Sequence, residues 1–310
     1  MTADAARPRW RGQPGRLEVW YVTATDAATG TGLWLHHEMV APLREPAYAH
    51  GWIAHFPSDG PPQTQRFGPT PVPPVASSTE WNSAAGCSVG PGRLSGDAGP
   101  VSWDLAWKSA DPPLWTFPAG LWHRELLPAA QVVLAPRAQI TGTITTAAGT
   151  SEVAALANVA HIYGHGNAER WGWLHADLDD DTVLEIVAAV SRRPGLTSLP
   201  PLAFVQLRRR GHDWPRNPLV AAPMFRTRLT APTWTVRGVV GRTRLTVEVT
   251  QPADRCVRLD YVDPDGSHAL CTNTERADVT VRLERWRGGW RDEQRWSLAG
   301  RAHAELGTRD

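Results

Sequence analysis

Hydrophobic and polar residues alternate with a period of two along most of this chain. In RWGWLHADL, Trp171, Trp173, His175 and Asp177 fall on one face, and Gly172, Leu174, Ala176 and Leu178 on the other. Successive side chains of a strand point to opposite faces, so the pattern is that of a strand. The same grammar predicts a hairpin from RLEVWYVTAT through DAATGTG to LWLHHEMVA, then strands at YAHGWIAHF, VSWDLAWKS, AQITGTITT and VAALANVAHIYG. Leu245, Val247 and Val249 alternate with Arg244, Thr246 and Glu248 in a two-faced strand, and a hairpin turns at Asp263–Gly266. VLEIVAAVS fits a strand or a short helix, which periodicity does not separate. The Pro/Gly/Ser-rich excursion over residues 57–78 reads as an ordered loop or flap, not a central strand.

No long helical pattern with caps interrupts this order. Many short, evenly spaced strands predict an all-β fold of barrels or sandwiches. The strand theme resumes after AAGTSE, so the chain divides into two similar antiparallel β units packed side by side, residues 1–150 and 151–310. Its 310 residues, 42% hydrophobic and 20% charged, suffice for two ordinary cores.

Charge and cysteine content narrow the partners. A net charge of +1 argues against a nucleic-acid partner, and the short run Arg208, Arg209, Arg210 reads as a solvated strand end. Cys87, Cys256 and Cys271 are odd in number and widely spaced, which favours free thiols over a disulfide framework. The N-terminus has no apolar signal region and no stretch is long enough for a membrane-spanning helix, so the expected location is the cytoplasm. The compositional anomaly is 16 Trp against 5 Phe and 4 Tyr. An indole has a large apolar body and one N–H that wants a partner, which suits a half-polar ligand wall as well as a core.

Phosphate-loop, nucleophile-elbow, zincin and paired C-x-x-C signatures are missing, and no cofactor is implied. Two histidine groups, His36, His37, His50 and His55 with Glu38, and His161, His165 and His175, invite a metal reading. Strand parity weakens it: His36 and Glu38 share a face while His37 points away. No metal ligand set is assigned. The strand faces say more. Trp34, His36 and Glu38 lie together, as do Tyr48, His50 and Trp52, then His161 and Tyr163, then Glu169, Trp171, Trp173, His175 and Asp177. A face of aromatic and ionisable groups describes a binding wall. A carboxyl group walled by indoles loses hydration, so its pKa is expected to rise and it could protonate an alkene. Indole faces stabilise a developing cation by about 0.5–2 kcal/mol each. Holding a flexible polyene in its reactive shape can contribute on the order of 7 kcal/mol.

The stretches LEVWYVTATDAATGTGLWLHHEMV, PRAQITGTI and YGHGNAERWGWLHADL, in this order, resemble the two-barrel lipocalin-like superfamily of carotenoid 1,2-hydratases, tocopherol cyclases and fungal Diels–Alderases. The resemblance implies two consecutive lipocalin-like barrels and an apolar isoprenoid or polyketide substrate. It leaves the reaction open among hydration, cyclisation and pericyclic steps. Relatives carry an Asp-His pair where this chain reads Gly164-His165-Gly166-Asn167. His165 matches and the acid does not, so the resemblance leaves any proton to Glu38, Glu169 or Asp177. The resulting expectation is a cofactor-independent cyclase, isomerase or hydratase. Glu38, Glu169, Asp177, His165 and His175 are its catalytic candidates, and Trp34, His36, Trp52, Tyr163, Trp171 and Trp173 bind its substrate. A carrier of an apolar ligand and a metal-dependent barrel enzyme are the alternatives.

Overall fold

The computed structural model describes residues 2–72, 80–122, 124 and 128–309. Strands dominate it, and the described helices are single short turns, α1 (Thr2–Ala6) and α2 (Pro218–Ala221), besides three 3-10 turns. The first sheet comprises β1 (Arg16–Asp26), β2 (Thr31–Ala41), β3 (Tyr48–Phe56), β4 (Gln63–Pro71), β5 (Asn82–Ala84), β6 (Cys87–Gly90), β7 (Arg93–Ala98), β8 (Val101–Lys108), β9 (Leu114–Trp115), β10 (Ala129–Thr146) and β11 (Gly149–Gly164). Its order is β4-β3-β2-β1-β11-β10-β8-β7-β6-β5, with β9 on β10. The far end curls back so that β5 lies against β2, β3 and β4, which nearly closes a barrel.

The second sheet comprises β12 (Arg170–Asp179), β13 (Thr182–Val190), β14 (Leu202–Arg209), β15 (His212–Trp214), β16 (Phe225–Arg228), β17 (Thr233–Val240), β18 (Thr243–Thr250), β19 (Val257–Val262), β20 (His268–Trp286) and β21 (Trp290–Thr308). Its order is β15-β14-β13-β12-β21-β20-β18-β17-β16, with β19 on β20. In both sheets four meandering strands precede a join of the first strand to the last, and a short strand sits off the path beside the penultimate one. The two halves thus repeat one topology.

The boundary between the halves lies later than residue 150. AAGTSE is the turn of the β10–β11 hairpin, where Thr146 faces Gly149. β11 then pairs with β1 over Leu17–Thr25, so its alternating residues belong to the first sheet. The first compact unit is Met1–Trp115, Trp122–Asn167 and Val262–His268; the second is Thr116–Leu121, Ala168–Tyr261 and Ala269–Asp310. VLEIVAAVS resolves as the strand β13, paired on both sides by β12 and β14. Part of the excursion at 57–78 forms β4, an edge strand, where proline costs no ladder hydrogen bond. Its residues 73–78 lie outside the described residues. The three cysteines are free thiols.

Alternation decides what each face meets. In the second unit Leu174, Ala176, Leu184, Ile186, Val205, Val247 and Val281 join one aliphatic core. In the first unit Phe67 of β4 meets Trp103 of β8, ring centroids 6.0 Å apart, although many strands separate them in the sheet. Their shared face is therefore the barrel interior. His37 belongs to it, with Phe67 4.9 Å from its ring. Burial, with His36 adding to it, lowers the His37 pKa to about 3.

The N-terminal segment is bound onto this interior face. Glu18, 1% exposed, accepts hydrogen bonds from the backbone N–H groups of Arg9 (2.6 Å) and Trp10 (3.0 Å), and its Oε1 lies 2.8 Å from His161 Nε2. His161 Nδ1 lies 2.6 Å from the Ala5 carbonyl, and Trp20 Nε1 donates to that of Ala6 at 2.9 Å. Removing one member of a buried, hydrogen-bonded ionic group typically costs about 3–5 kcal/mol. Glu18→Ala is expected to lose stability of that order in denaturant unfolding, whereas Glu152→Ala, at an exposed end of β11, is expected to change it by less than about 0.5 kcal/mol.

Candidate functional site

In the first unit β1, β2 and β3 bury the face opposite the barrel interior as well. Register places Tyr21, His36 and Trp52 side by side, and Val19, Glu38 and His50 in the adjacent row. Trp34 continues the His36–Glu38 face by one further step. These side chains are no more than 7% exposed. Glu38 sits between two imidazoles: its Oε2 is 3.0 Å from His36 Nε2 and its Oε1 is 3.7 Å from His50 Nε2. Arg66 Nη2 lies 3.4 Å from His50 Nδ1, so the guanidinium donates there and directs the Nε2–H of His50 toward Glu38. Indoles flank the imidazoles. Trp34 and Trp52 stack 6.4 Å apart, and Trp52 meets His36 and His50 edge-on at 5.4 and 4.8 Å.

The electrostatics reverse the expectation of a protonated carboxyl. Burial pushes the Glu38 pKa up, but the charge of His50 and the hydrogen bonds from His36 and His50 together outweigh it and bring the pKa from 4.5 to about 2. Glu38 is a carboxylate at any physiological pH. The groups that carry protons beside the indoles are then His36 and His50, with Glu38 fixing their orientation.

The second unit repeats the device with different partners. Register aligns Glu185 of β13, His175 of β12 and His303 of β21. Glu185 accepts from Trp173 Nε1 at 2.7 Å and lies 2.9 Å from His175 Nδ1. His303 Nδ1 hydrogen-bonds Glu275, and the rings of His175 and His303 are 5.8 Å apart. Glu185, His175, His303 and Glu275 are all buried. Burial is the largest influence on Glu275 and raises its pKa despite the opposing pull of His303. The upward shift anticipated from the sequence for a buried carboxyl is thus found at Glu275 and not at Glu38.

The other predicted residues are distributed as follows. Asp177 is half-buried, 3.9 Å from His175 Nε2. Glu169 precedes β12, where its backbone bonds Val190 and Arg309. Trp171 lies across Gly307, where an added Cβ would stand 2.0 Å from the indole. Tyr163 is on the barrel-interior face, opposite to that of His36, with the Arg9 guanidinium 4.3 Å over its ring. His165 is exposed and lies 3.1 Å from Arg16. The acid in its neighbourhood is Asp263, which accepts from the backbone and side-chain N–H of Asn167, both at 2.9 Å. Among the described residues no group of three or more His, Cys, Asp or Glu is placed to hold a metal ion.

Sequence reasoning missed Glu185, Glu275 and His303 as site residues. Glu185 had one visible signal, a lone acid within an apolar run. Glu275 lies at a register shift between Thr274 and Ala277, where a simple alternation argument loses its phase.

These features define an all-β protein of two topologically repeated units, each burying a strand face of indoles, imidazoles and carboxylates. The chain belongs to the tocopherol cyclase-like family, whose profile matches residues 73–308. Two Mycobacterium tuberculosis proteins described as uncharacterized, Rv0493c of strain H37Rv and MT0513 of strain CDC 1551, are each 51% identical over 309 residues, covering 99% of this chain and 91% of theirs. Solved structures share the fold at low identity. A putative AttH from Nitrosomonas europaea matches with a TM-score of 0.60 at 16% identity, over 95% of this chain and 93% of its own. CghA with Sch210972 matches at 0.61 and 15%, over 95% and 88%, and kievitone hydratase from Nectria haematococca at 0.58 and 10%, over 100% and 93%. No helix among the described residues is long and apolar enough to cross a membrane.

The two buried acids give opposite pH responses. A carboxyl with a lowered folded-state pKa adds stability that is complete above its unfolded pKa and is lost as pH falls through the folded value. For Glu38, from 4.5 to about 2, that contribution is on the order of 3 kcal/mol. Glu38→Gln is expected to be less stable at pH 7 and to show a flatter loss between about pH 4.5 and 2. Glu275 has the reverse sign: its contribution is complete below its unfolded pKa and is lost as pH rises. Glu275→Gln is expected to hold its stability at neutral pH relative to the parent. Denaturant unfolding across pH checks both.

Proposed function

We propose that the protein is a cofactor-independent cyclase, isomerase or hydratase acting on a small, apolar, polyunsaturated metabolite of isoprenoid or polyketide type. The observation that carries this reading is the buried row His36–Glu38–His50 set against Trp34 and Trp52. Indole faces accept a hydrocarbon chain and stabilise positive charge developing on it. The imidazoles, oriented by an anionic Glu38, supply or remove a proton at the carbon framework. A hydration adds water across the activated double bond, and a cyclisation or isomerisation returns the proton with no net change of atoms. The family and the shared fold with kievitone hydratase and the Sch210972-bound CghA support the same substrate class.

The test is mass spectrometry of small molecules extracted from the purified, denatured protein, produced in a mycobacterial host. Wild-type chain is expected to carry a cyclised, isomerised or hydrated compound, and Glu38→Gln its unreacted polyunsaturated precursor. The same compound at the same stoichiometry in both preparations would make the protein a carrier and overturn the catalytic reading.

A further inference from the structure

Three neighbouring side chains on the Trp34–His36–Glu38 face carry polar atoms that none of the described residues engages. Asn158 of β11 stands opposite Thr23 of β1, and Thr23 stands opposite Trp34 of β2. Directly opposed residues share a face, with Cβ atoms about 4.5–5.5 Å apart, so the three form one continuous row. All three are 0% exposed. Among the described residues, Nδ2 and Oδ1 of Asn158, Oγ1 of Thr23 and Nε1 of Trp34 nonetheless have no hydrogen-bond partner. Buried polar side chains are normally paired, because each unmade bond forfeits hydration for nothing. Here the deficit falls on three adjacent residues beside the imidazole–carboxylate row. Folding alone does not explain it, since valine and leucine of similar size would serve packing better at Thr23 and Asn158.

We propose that Asn158, Thr23 and Trp34 are a recognition site for a neutral polar head on the metabolite, one that carries a carbonyl next to an N–H or O–H. The inference rests on the reading above that this face holds an apolar chain. Its chemistry follows from the atoms on offer. Trp34 gives one N–H, Asn158 gives two N–H groups and a carbonyl, and the Thr23 hydroxyl serves in either sense. A carboxamide or a hydroxyketone satisfies all three residues at once. On the β2–β3 side the row meets no free charge, since the next residue beyond Trp34 is Ala54 and the Arg66 guanidinium is engaged with His50 and Trp52; on the β10 side the register shift opposite Asn158 holds Pro136 and Arg137. A neutral head needs only the three residues named, whereas an anion would need a guanidinium to compensate it. Trp34 and His36 are two residues apart on one strand, a spacing of about 7 Å, so the double bond nearest the head is the one presented to the imidazole.

Tryptophan fluorescence quenching of the full chain by three probes with one isoprenoid chain tests this: farnesene, the carboxamide of farnesoic acid, and farnesyl diphosphate. The carboxamide is expected to bind at least about tenfold more tightly than farnesene. Asn158→Leu is expected to bring the carboxamide down to the level of farnesene, and Thr23→Val to reduce its advantage. Both ligand-free variants are expected to melt no lower than wild type, since they remove buried polar atoms without partners. Equal binding of carboxamide and farnesene by wild type overturns the recognition site and leaves the apolar wall standing. A lowered melting temperature in Asn158→Leu makes Asn158 structural and also overturns it. Tightest binding by the diphosphate replaces the neutral head with an anion. Failure of all three probes to quench removes the apolar-wall reading and this inference together.

Discussion

A carboxylate that is 2% exposed must find its compensation within the protein, and Glu38 finds it in histidine. The same solution recurs. Glu18 pairs with His161, Glu185 with His175, and Glu275 with His303, every partner buried. Unpaired, each buried charge would cost several kcal/mol. An imidazole partner is compact enough for a strand face and keeps a second nitrogen available for another bond. Strands of this protein can therefore bury ionisable groups, and β1 and β2 do so on both faces, with Glu18 and His37 inside the barrel and His36 and Glu38 opposite.

The four pairs do different work, and their other contacts say which. Glu18 is saturated by two backbone donors and His161, and His161 spends its second nitrogen on the Ala5 carbonyl. Three of these four bonds tie the N-terminal segment to the barrel and the fourth joins β1 to β11, so the role of the group is structural. Glu38 is ringed instead by side chains alone, two imidazoles with indoles beside them. Glu275 bonds His303, and among the described residues its other carboxylate oxygen has only the Asn273 side chain acting on it, without a hydrogen bond of ordinary geometry. Groups whose bonds are incomplete or made only to mobile protons are suited to chemistry, and fully saturated ones to stability.

Most of the fold was legible in the sequence because strand alternation is local. YAHGWIAHF coincides with β3, and the hairpin grammar of residues 16–41 gives β1 and β2. The domain boundary was not legible. β11 looks like the start of a second half by composition, and only its long-range pairing with β1 assigns it to the first. For the site, parity correctly joined Trp34, His36 and Glu38, and Trp173 with His175. It could not say which face of β11 turns inward, so Tyr163 was grouped with residues that lie on the opposite face. The Glu38 pKa was misjudged for a related reason. Desolvation by indoles is readable from neighbours in sequence, whereas His50 reaches Glu38 only through the β2–β3 register. The unpartnered row at Thr23, Trp34 and Asn158 spans three strands and has no signature in any one of them.

The repeated topology shows how one arrangement yields two chemistries. β1 and β2 of the first sheet occupy the places of β12 and β13 in the second, and both pairs bury ionisable side chains. In the first unit two imidazoles converge on one carboxylate, and the charge balance keeps that acid ionised. In the second unit His175 faces Glu185 and Asp177 while His303 faces Glu275, and burial, with the Glu305 charge adding to it, leaves Glu275 with a raised pKa. The imidazoles that strand positions bring to each acid thus go with a lowered pKa at Glu38 and a raised one at Glu275. The backbone repeat supplies the burial, and substitution at alternate positions of four strands supplies the difference.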